Sequence, residues 1–210
     1  FLDGICAQDN LVFLLGDPID GYFSTFRSTD GGLHWEATPQ KVSASEGEAA
    51  YAASGQTNQI LNGKFFFVSG GMVSRLISSA DQGATWNTSK LPYPSCPTCG
   101  PYAMAIKNEA EIMTVGGSYL EANNAQNTCF YSKDGGKTWQ APKKGPSGYR
   151  SCVIYTGKAY YACGTNGIDV SKNGGKTWKK ISNVNALSMT HSNGQLYVTL
   201  ADGSWLIMQQ

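Results

Sequence analysis

Four eight-residue segments of this 210-residue chain repeat one pattern: Ser28-Thr-Asp-Gly-Gly-Leu-His-Trp35, Ser79-Ala-Asp-Gln-Gly-Ala-Thr-Trp86, Ser132-Lys-Asp-Gly-Gly-Lys-Thr-Trp139 and Ser171-Lys-Asn-Gly-Gly-Lys-Thr-Trp178. Their starts lie 51, 53 and 39 residues apart. A unit recurring at that period points to a solenoid or a propeller before any other fold. The shared core, Ser-x-Asp-x-Gly-x-Thr-Trp, has a physical reading. The Ser and Asp oxygens accept hydrogen bonds from nearby backbone N–H groups and fix a tight turn. The glycine reaches a positive φ without strain. The Trp opens the next strand and packs back over the turn. Ser28, Asp30, Gly32 and Trp35, with their counterparts Ser79, Asp81, Gly83, Trp86, Ser132, Asp134, Gly136, Trp139, Ser171, Asn173, Gly175 and Trp178, are therefore expected to be structural clasps rather than ligand contacts.

The flanks of each box read as short strands. Leu2–Ala7, Leu11–Leu15 and Tyr22–Arg27 precede the first box; Ala49–Ala53, Lys64–Val68 and Val73–Ser78 the second. Tyr102–Ile106, Glu111–Val115 and Asn127–Tyr131 precede the third; Arg150–Tyr155, Lys158–Cys163 and Ile168–Val170 the fourth. With a strand starting at each Trp, that makes four per repeat, the number in a propeller blade. The 25 glycines, 11 % aromatic residues and only 15 % charged residues suit short strands and tight turns. No stretch of ten residues carries a helical period. Ala186–Met208 holds three strands and no box. The expectation is an all-β, single-domain β-propeller over residues 1–210, with blades near 1–40, 47–90, 101–142, 149–182 and 185–210. About four and a half blades are counted, and an open ring would expose strand edges, so upstream residues are expected to complete it.

The box resembles the Asp box, or BNR repeat, of sialidase-like β-propellers, where it joins the third and fourth strands of a blade. Leu15-Gly-Asp-Pro-Ile-Asp-Gly21, Gly47-Glu-Ala-Ala-Tyr-Ala-Ala-Ser-Gly55, Ser74-Arg75, Gly116-Gly117-Ser118-Tyr119 and Gly148-Tyr-Arg-Ser151 are similar to a bacterial subgroup of photosystem II assembly factor-like, BNR-repeat proteins. The resemblance spans nearly the whole chain. It implies a larger six- or seven-bladed ring and a candidate face, without a settled reaction. This sequence departs from the arginine-rich assembly factors in having three arginines, and from sialidases in lacking an Arg-Ile-Pro motif.

Loop lengths single out a face. The boxes and the short turns between first and second strands share one end. The longer connections, including 16–21, 39–48, 91–101, 116–126 and 141–148, share the other. Long loops kept in a compact domain are usually functional. That end gathers Asp17, Asp20, Glu48, Tyr119, Tyr149, Asn123, Ser151, Arg75 and Arg150. Carboxylates, tyrosines and arginines around a concavity suit a polyhydroxylated or anionic ligand. The sialidase resemblance assigns Arg75 and Arg150 to carboxylate binding, Tyr119 or Tyr149 as nucleophile, Glu48 as its base and Asp17 or Asp20 as acid; paired carboxyls are what glycoside hydrolysis requires. Asp17 and Asp20 read equally as turn caps, Arg75 and Arg150 as inter-blade ion pairs, and the tyrosines as packing.

The favoured expectation is a secreted, periplasmic or cell-surface binding module for a glycan or protein ligand. A glycoside hydrolase on the same face is the alternative. A scaffold in a membrane-associated assembly is a third reading, and it would show an exposed apolar or aromatic patch. A formal charge of +1 argues against a broad basic face for nucleic acid. No segment approaches the ~20 apolar residues of a membrane helix. No cofactor fingerprint is present. His34 and His191 lack the partners of a metal site, so no metal is expected. Cys96-Pro-Thr-Cys99 reads as a local disulfide or two thiols. If Gly157-Lys158 is a two-residue turn, Cys152 faces Cys163 across a hairpin, where a disulfide or plain packing fits. Paired cysteines would favour an oxidising compartment.

Overall fold

Five antiparallel sheets follow one another along the computed structural model, which describes residues 1–209. The first pairs Leu2–Gln8, Leu11–Ile19, Tyr22–Ser28 and Glu36–Ala37, with Val42–Ser43 also on its third strand. In the second, Glu48–Ala49 and Asn58–Leu61 both pair with Lys64–Gly71, followed by Arg75–Ser79 and Asn87–Lys90. The third holds Pro101–Ile106, Ile112–Gly116 and Cys129–Ser132, and the fourth Cys152–Tyr155, Tyr160–Gly164, Gly167–Ser171 and Lys179–Ser182. Ala186–Ser192, Gln195–Leu200 and Trp205–Gln209 form the fifth. The sheets are the blades of an all-β propeller.

Apolar cores lie between successive sheets. Phe13, Leu15 and Phe23 of the first pack on Phe65, Phe67 and Ile77 of the second. Phe66, Val68 and Leu76 meet Met104, Ile112 and Phe130 of the third. The run Phe65–Val68 is apolar at every position because alternate side chains enter different cores. Val115, Cys129 and Val153 help fill the third interface, and Cys163, Ile168, Met189 and Leu196 the fourth.

Two expected strands differ. The third sheet has no fourth strand beyond a bridge between Tyr131 and Gln140. Pro142 follows, and a proline cannot donate to a ladder. The innermost strand expected at Ala49–Ala53 is split, with residues 50–57 crossing between Glu48–Ala49 and Asn58–Leu61.

That crossing segment ties the blades together. Gln56 Nε2 donates to the Met189 carbonyl of the fifth sheet at 3.2 Å, and its Oε1 accepts from Val153 N of the fourth at 3.1 Å. Its carbonyl accepts from Met104 N of the third at 3.0 Å. Gln59 Nε2 donates to Met104 O at 2.6 Å, and Asn58 Nδ2 donates to Gly4 O and Phe13 O of the first sheet at 3.2 and 3.1 Å.

The four boxes are built alike. In the second, Ser79 Oγ donates to Asp81 Oδ1 at 2.8 Å and accepts from Gly83 N at 2.7 Å. Asp81 also accepts from Thr85 N and Thr85 Oγ1 at 2.8 and 2.7 Å. Gly83 has φ +90°, with Gly32, Gly136 and Gly175 close to that value. The indole N–H of Trp86 donates to Gln40 O and that of Trp139 to Ser89 Oγ, each in the connection or outer strand of the preceding blade. His34 replaces Thr in the first box and its Nδ1 lies 2.7 Å from Asp30. Asn173 replaces Asp in the fourth, accepting from Thr177 N at 3.0 Å and donating to Thr177 Oγ1 at 2.7 Å.

Two outcomes are expected. Gln56→Leu leaves Val153 N–H without a partner and Met189 C=O with only the Cys152 thiol at 3.7 Å, and should cost about 1–3 kcal/mol in urea unfolding; a loss under about 0.5 kcal/mol would show that the crossing segment does not hold the blades. The box hydrogen bonds, led by those from Thr85 and Thr138, lower the Asp81 and Asp134 carboxyls from 3.8 to about 2. Because these groups are depressed in the fold, their stabilisation is present above pH 3.8 and is lost as pH falls toward 2. The Asp81→Asn/Asp134→Asn protein, copying the fourth box, should fold normally and show a flatter stability–pH curve across that window. An unchanged curve would assign acid unfolding elsewhere.

Candidate functional site

Each innermost strand starts on the face opposite the boxes, and three of them start with a bulge. The pairing skips Asp3 in the first sheet, Tyr102 in the third and Leu187 in the fifth. A bulge re-aims the side chain of its extra residue and is common beside functional sites. The result is a mouth where the innermost strands meet.

Four tyrosines gather at this mouth. Tyr51 and Tyr102 stack at 4.1 Å between ring centroids, and the edge of Tyr102 meets Tyr149 at 4.9 Å and Tyr119 at 6.5 Å. Tyr119 is exposed; Tyr102 and Tyr149 are buried. A short loop closed by the Cys96–Cys99 disulfide forms one rim. Tyr51 Oη donates to Pro97 O at 3.0 Å, Tyr102 Oη to Thr98 O at 2.9 Å, and Thr98 shares a 2.8 Å hydrogen bond with Ser118. On the loops and strand starts of this face, Met72, Leu120 and Leu187 are exposed. Tyr51 and Tyr102 were not singled out by sequence. Tyr102 is the extra residue of its strand's bulge and Tyr51 lies in the crossing segment, neither of which the sequence marks.

The residues expected to act as an ionic constellation are not gathered into one. Glu48 is buried, and its Oε1 accepts from Arg75 Nε and its Oε2 from Arg75 Nη2, at 2.8 and 2.7 Å. Ser69 Oγ and Ser45 N fill the remaining directions. Arg150 is fully buried against Asp169, with further hydrogen bonds to Tyr149 O, Asn166 and Ser147. Arg27 pairs with Glu36 at 2.8 Å, so all three arginines are held by carboxylates of this chain. Of the two expectations for Arg75 and Arg150, the ion-pair one describes their geometry. Both pairs lie within one blade, each reaching across an intervening strand: Lys64–Gly71 separates Glu48 from Arg75, and Tyr160–Gly164 separates the strand after Arg150 from that of Asp169.

The other candidates divide. Asp20, with φ +52°, sits with Gly21 in the tight hairpin turn between Ile19 and Tyr22 and is exposed there. Asp17 is half-buried in a bulge, its carbonyl accepting from Ser24 Oγ. Its charge, after burial, is the second cause that raises the buried Asp3 carboxyl to about 7. Asn123 is exposed and accepts from Asn166 Nδ2 at 2.9 Å. Ser151 is buried, donating to Leu187 O at 2.9 Å. Burial pushes the hydroxyls of Tyr51, Tyr102 and Tyr149 above the ordinary tyrosine range, so none of the three is a phenolate at neutral pH. Glu48, spent on Arg75, is in no position to deprotonate Tyr149. Cys152 and Cys163 do face each other across the hairpin, as the turn placed them. They are free thiols rather than a disulfide: Cys152 Sγ donates to Gln56 Oε1 at 3.1 Å and accepts from Met189 N at 3.3 Å. No group of three or more potential metal ligands occurs among the described residues. No helix there is long and apolar enough to cross a membrane.

Comparison with known proteins matches residues 23–152 to the family model Sortilin-Vps10, described as sortilin, neurotensin receptor 3. No curated protein matches in sequence. Among solved structures, YCF48 bound to D1 peptide is similar, with a TM-score of 0.67 and 15 % identity over 99 % of this chain and 63 % of that one. The GH74 enzyme of Niastella koreensis is similar with a TM-score of 0.60 and 16 % identity, over 100 % of this chain and 37 % of that one. A chain of the nidogen/laminin complex gives 0.63 and 12 %, over 99 % and 75 %. This chain thus spans less than two thirds of the YCF48 and GH74 chains.

Breaking the Arg150–Asp169 pair strands a buried carboxylate. Arg150→Met should therefore lower unfolding stability by about 3–5 kcal/mol, whatever it does to binding. Stability within about 0.5 kcal/mol of the parent protein would show that the guanidinium is dispensable to the fold and return it to a ligand role.

Proposed function

The chain belongs to the Sortilin-Vps10 family, and from that premise we propose that it is a binding module taking a protein ligand, as an extended peptide segment, at the tyrosine-lined mouth opposite the boxes. One observation carries the reading: the mouth offers aromatic and aliphatic surface, while the arginines that would grip an anionic sugar are consumed by Glu36, Glu48 and Asp169. Tyrosine supplies a large contact area at little cost in conformational entropy and is enriched at binding hot spots. Tyr119, Leu120, Leu187 and Met72 supply the exposed anchors. Asp17, close enough for its charge to act on the Tyr51 hydroxyl, adds negative charge beside the tyrosines, which favours a peptide with basic side chains. Similar structures include one bound to a peptide and one from a protein complex, a kind of ligand that fits this surface. A scaffold role in a larger assembly uses the same surface chemistry. We further propose an oxidising location outside the cytoplasm, supported by the Cys96–Cys99 disulfide at the rim.

A library of extended peptides screened against the protein should yield binders whose affinity falls about tenfold or more, roughly 1.4 kcal/mol, on Tyr119→Ala with the unfolding midpoint unchanged. Peptides bound equally well by that variant would sink the reading. So would release of sugar from a glycoside panel that stops on Asp17→Asn.

A further inference from the structure

The formal charge of +1 conceals a division. Residues 133–180 hold ten of the 16 Lys and Arg but two of the 15 Asp and Glu, a formal +8; the rest of the chain holds six against 13, a formal −7. Basic charge therefore concentrates on the fourth blade and the connection leading to it.

A cleft of about 560 Å³ opens in this region, on the outer flank between the third and fourth sheets, where the third lacks its outer strand. Its volume falls within the range of small-ligand sites. Lys143, Lys144 and Lys180 line it. Their backbone positions are set by the fourth blade: Lys143 N donates to Lys176 O, and Lys144 O accepts from Trp178 N, both at 2.9 Å. Lys180 stands opposite Asp169 in the sheet, its stem crossing Gly167, where a Cβ would collide with it. None of the three ammonium groups pairs with a carboxylate among the described residues. Asp169, the one acid in the lining, is already occupied by Arg150 and by Ser147 N and Oγ at 3.1 Å. Three cations thus face a cavity that holds no anion to neutralise them.

We propose that this cleft binds an acidic oligosaccharide, one carrying sulfate, phosphate or carboxylate groups on a hydroxylated scaffold. The lysines meet the anionic groups, and the exposed amides of Gln126 and Asn127 meet the hydroxyls. The lining argues against other polyanions. Its only aromatic residue, Trp178, is buried with its N–H donated to Gly175 O, so unstacked nucleobases have no platform. No Leu, Ile, Val or Phe lines the cleft to receive a lipid chain. The site lies outside the tyrosine cluster and does not depend on the peptide reading.

The test uses a heparin-derived sulfated tetrasaccharide and titration calorimetry at low salt. Lys143→Ala/Lys144→Ala/Lys180→Ala should weaken binding at least about tenfold. Lys133→Ala/Lys137→Ala/Lys158→Ala removes the same charge from the same basic stretch outside the cleft, and should change affinity less than about twofold. The desulfated tetrasaccharide should not bind. Equal losses in the two triple variants would overturn the proposal in favour of diffuse attraction. So would a polyglutamate or DNA probe of matched charge that binds as tightly and depends on the same three lysines. Should the triple variant misfold, the exposed Lys180→Glu alone must give the loss. Tyr119→Ala should leave tetrasaccharide binding intact, which separates this site from the mouth.

Discussion

The blades of this propeller are joined near their innermost strands by the side-chain amides of one short segment. A sheet satisfies its own backbone, but nothing in a ladder dictates how one sheet sits on the next. Apolar packing between sheets is strong but non-directional. Gln56, Asn58 and Gln59 supply direction, because an amide carries both donors and an acceptor. From the second blade they reach backbone groups of the first, third, fourth and fifth. The segment leaves the ladder at Ala50 and rejoins it at Asn58, and that break lets it cross. The tyrosine mouth stands directly above it, since Tyr51 belongs to the same segment.

What was legible in the sequence was whatever is decided locally. A box closes within eight residues through its own Ser, Asp and Thr, so its repetition announced the blades. The facing of Cys152 and Cys163 followed from a two-residue turn; their redox state did not, since thiols and disulfides suit the same register. The second blade's inner strand was misplaced because Ala49–Ala53 looks like a strand, while the polar run Gln56–Gln59 looks like a loop until its distant partners are in place. The arginines show the same divide. Residue type and face were readable, but Glu48 is 27 residues from Arg75 and Asp169 is 19 from Arg150, and those pairings turn candidate ligand contacts into internal braces.

Those braces shape the chemistry left for a ligand. A buried guanidinium with a carboxylate across it is neutral in effect, because the desolvation of the two charges offsets much of their attraction. With the arginines internal, the mouth is left with ring faces, aliphatic tips and scattered carboxylates, whereas free cations lie on the outer flank between the third and fourth blades. The molecule is therefore electrically polar although its total charge is close to zero. A partner approaching in dilute salt meets a field that depends on direction.

The crossing segment also bears on the order in which the chain acquires its shape. Gln56 and Met189 are separated by 133 residues. The first three blades can close their hairpins as they leave the ribosome, because their ladders are local. The amide of Gln56 has no fifth-blade carbonyl to find until that blade has been made. At ~5–20 residues per second, that interval is roughly 7–27 seconds. During it the first three blades hold the Asn58 and Gln59 bonds that join them but lack the Gln56 bond to the fifth, and the apolar faces awaiting later blades stay open to water and to chaperones.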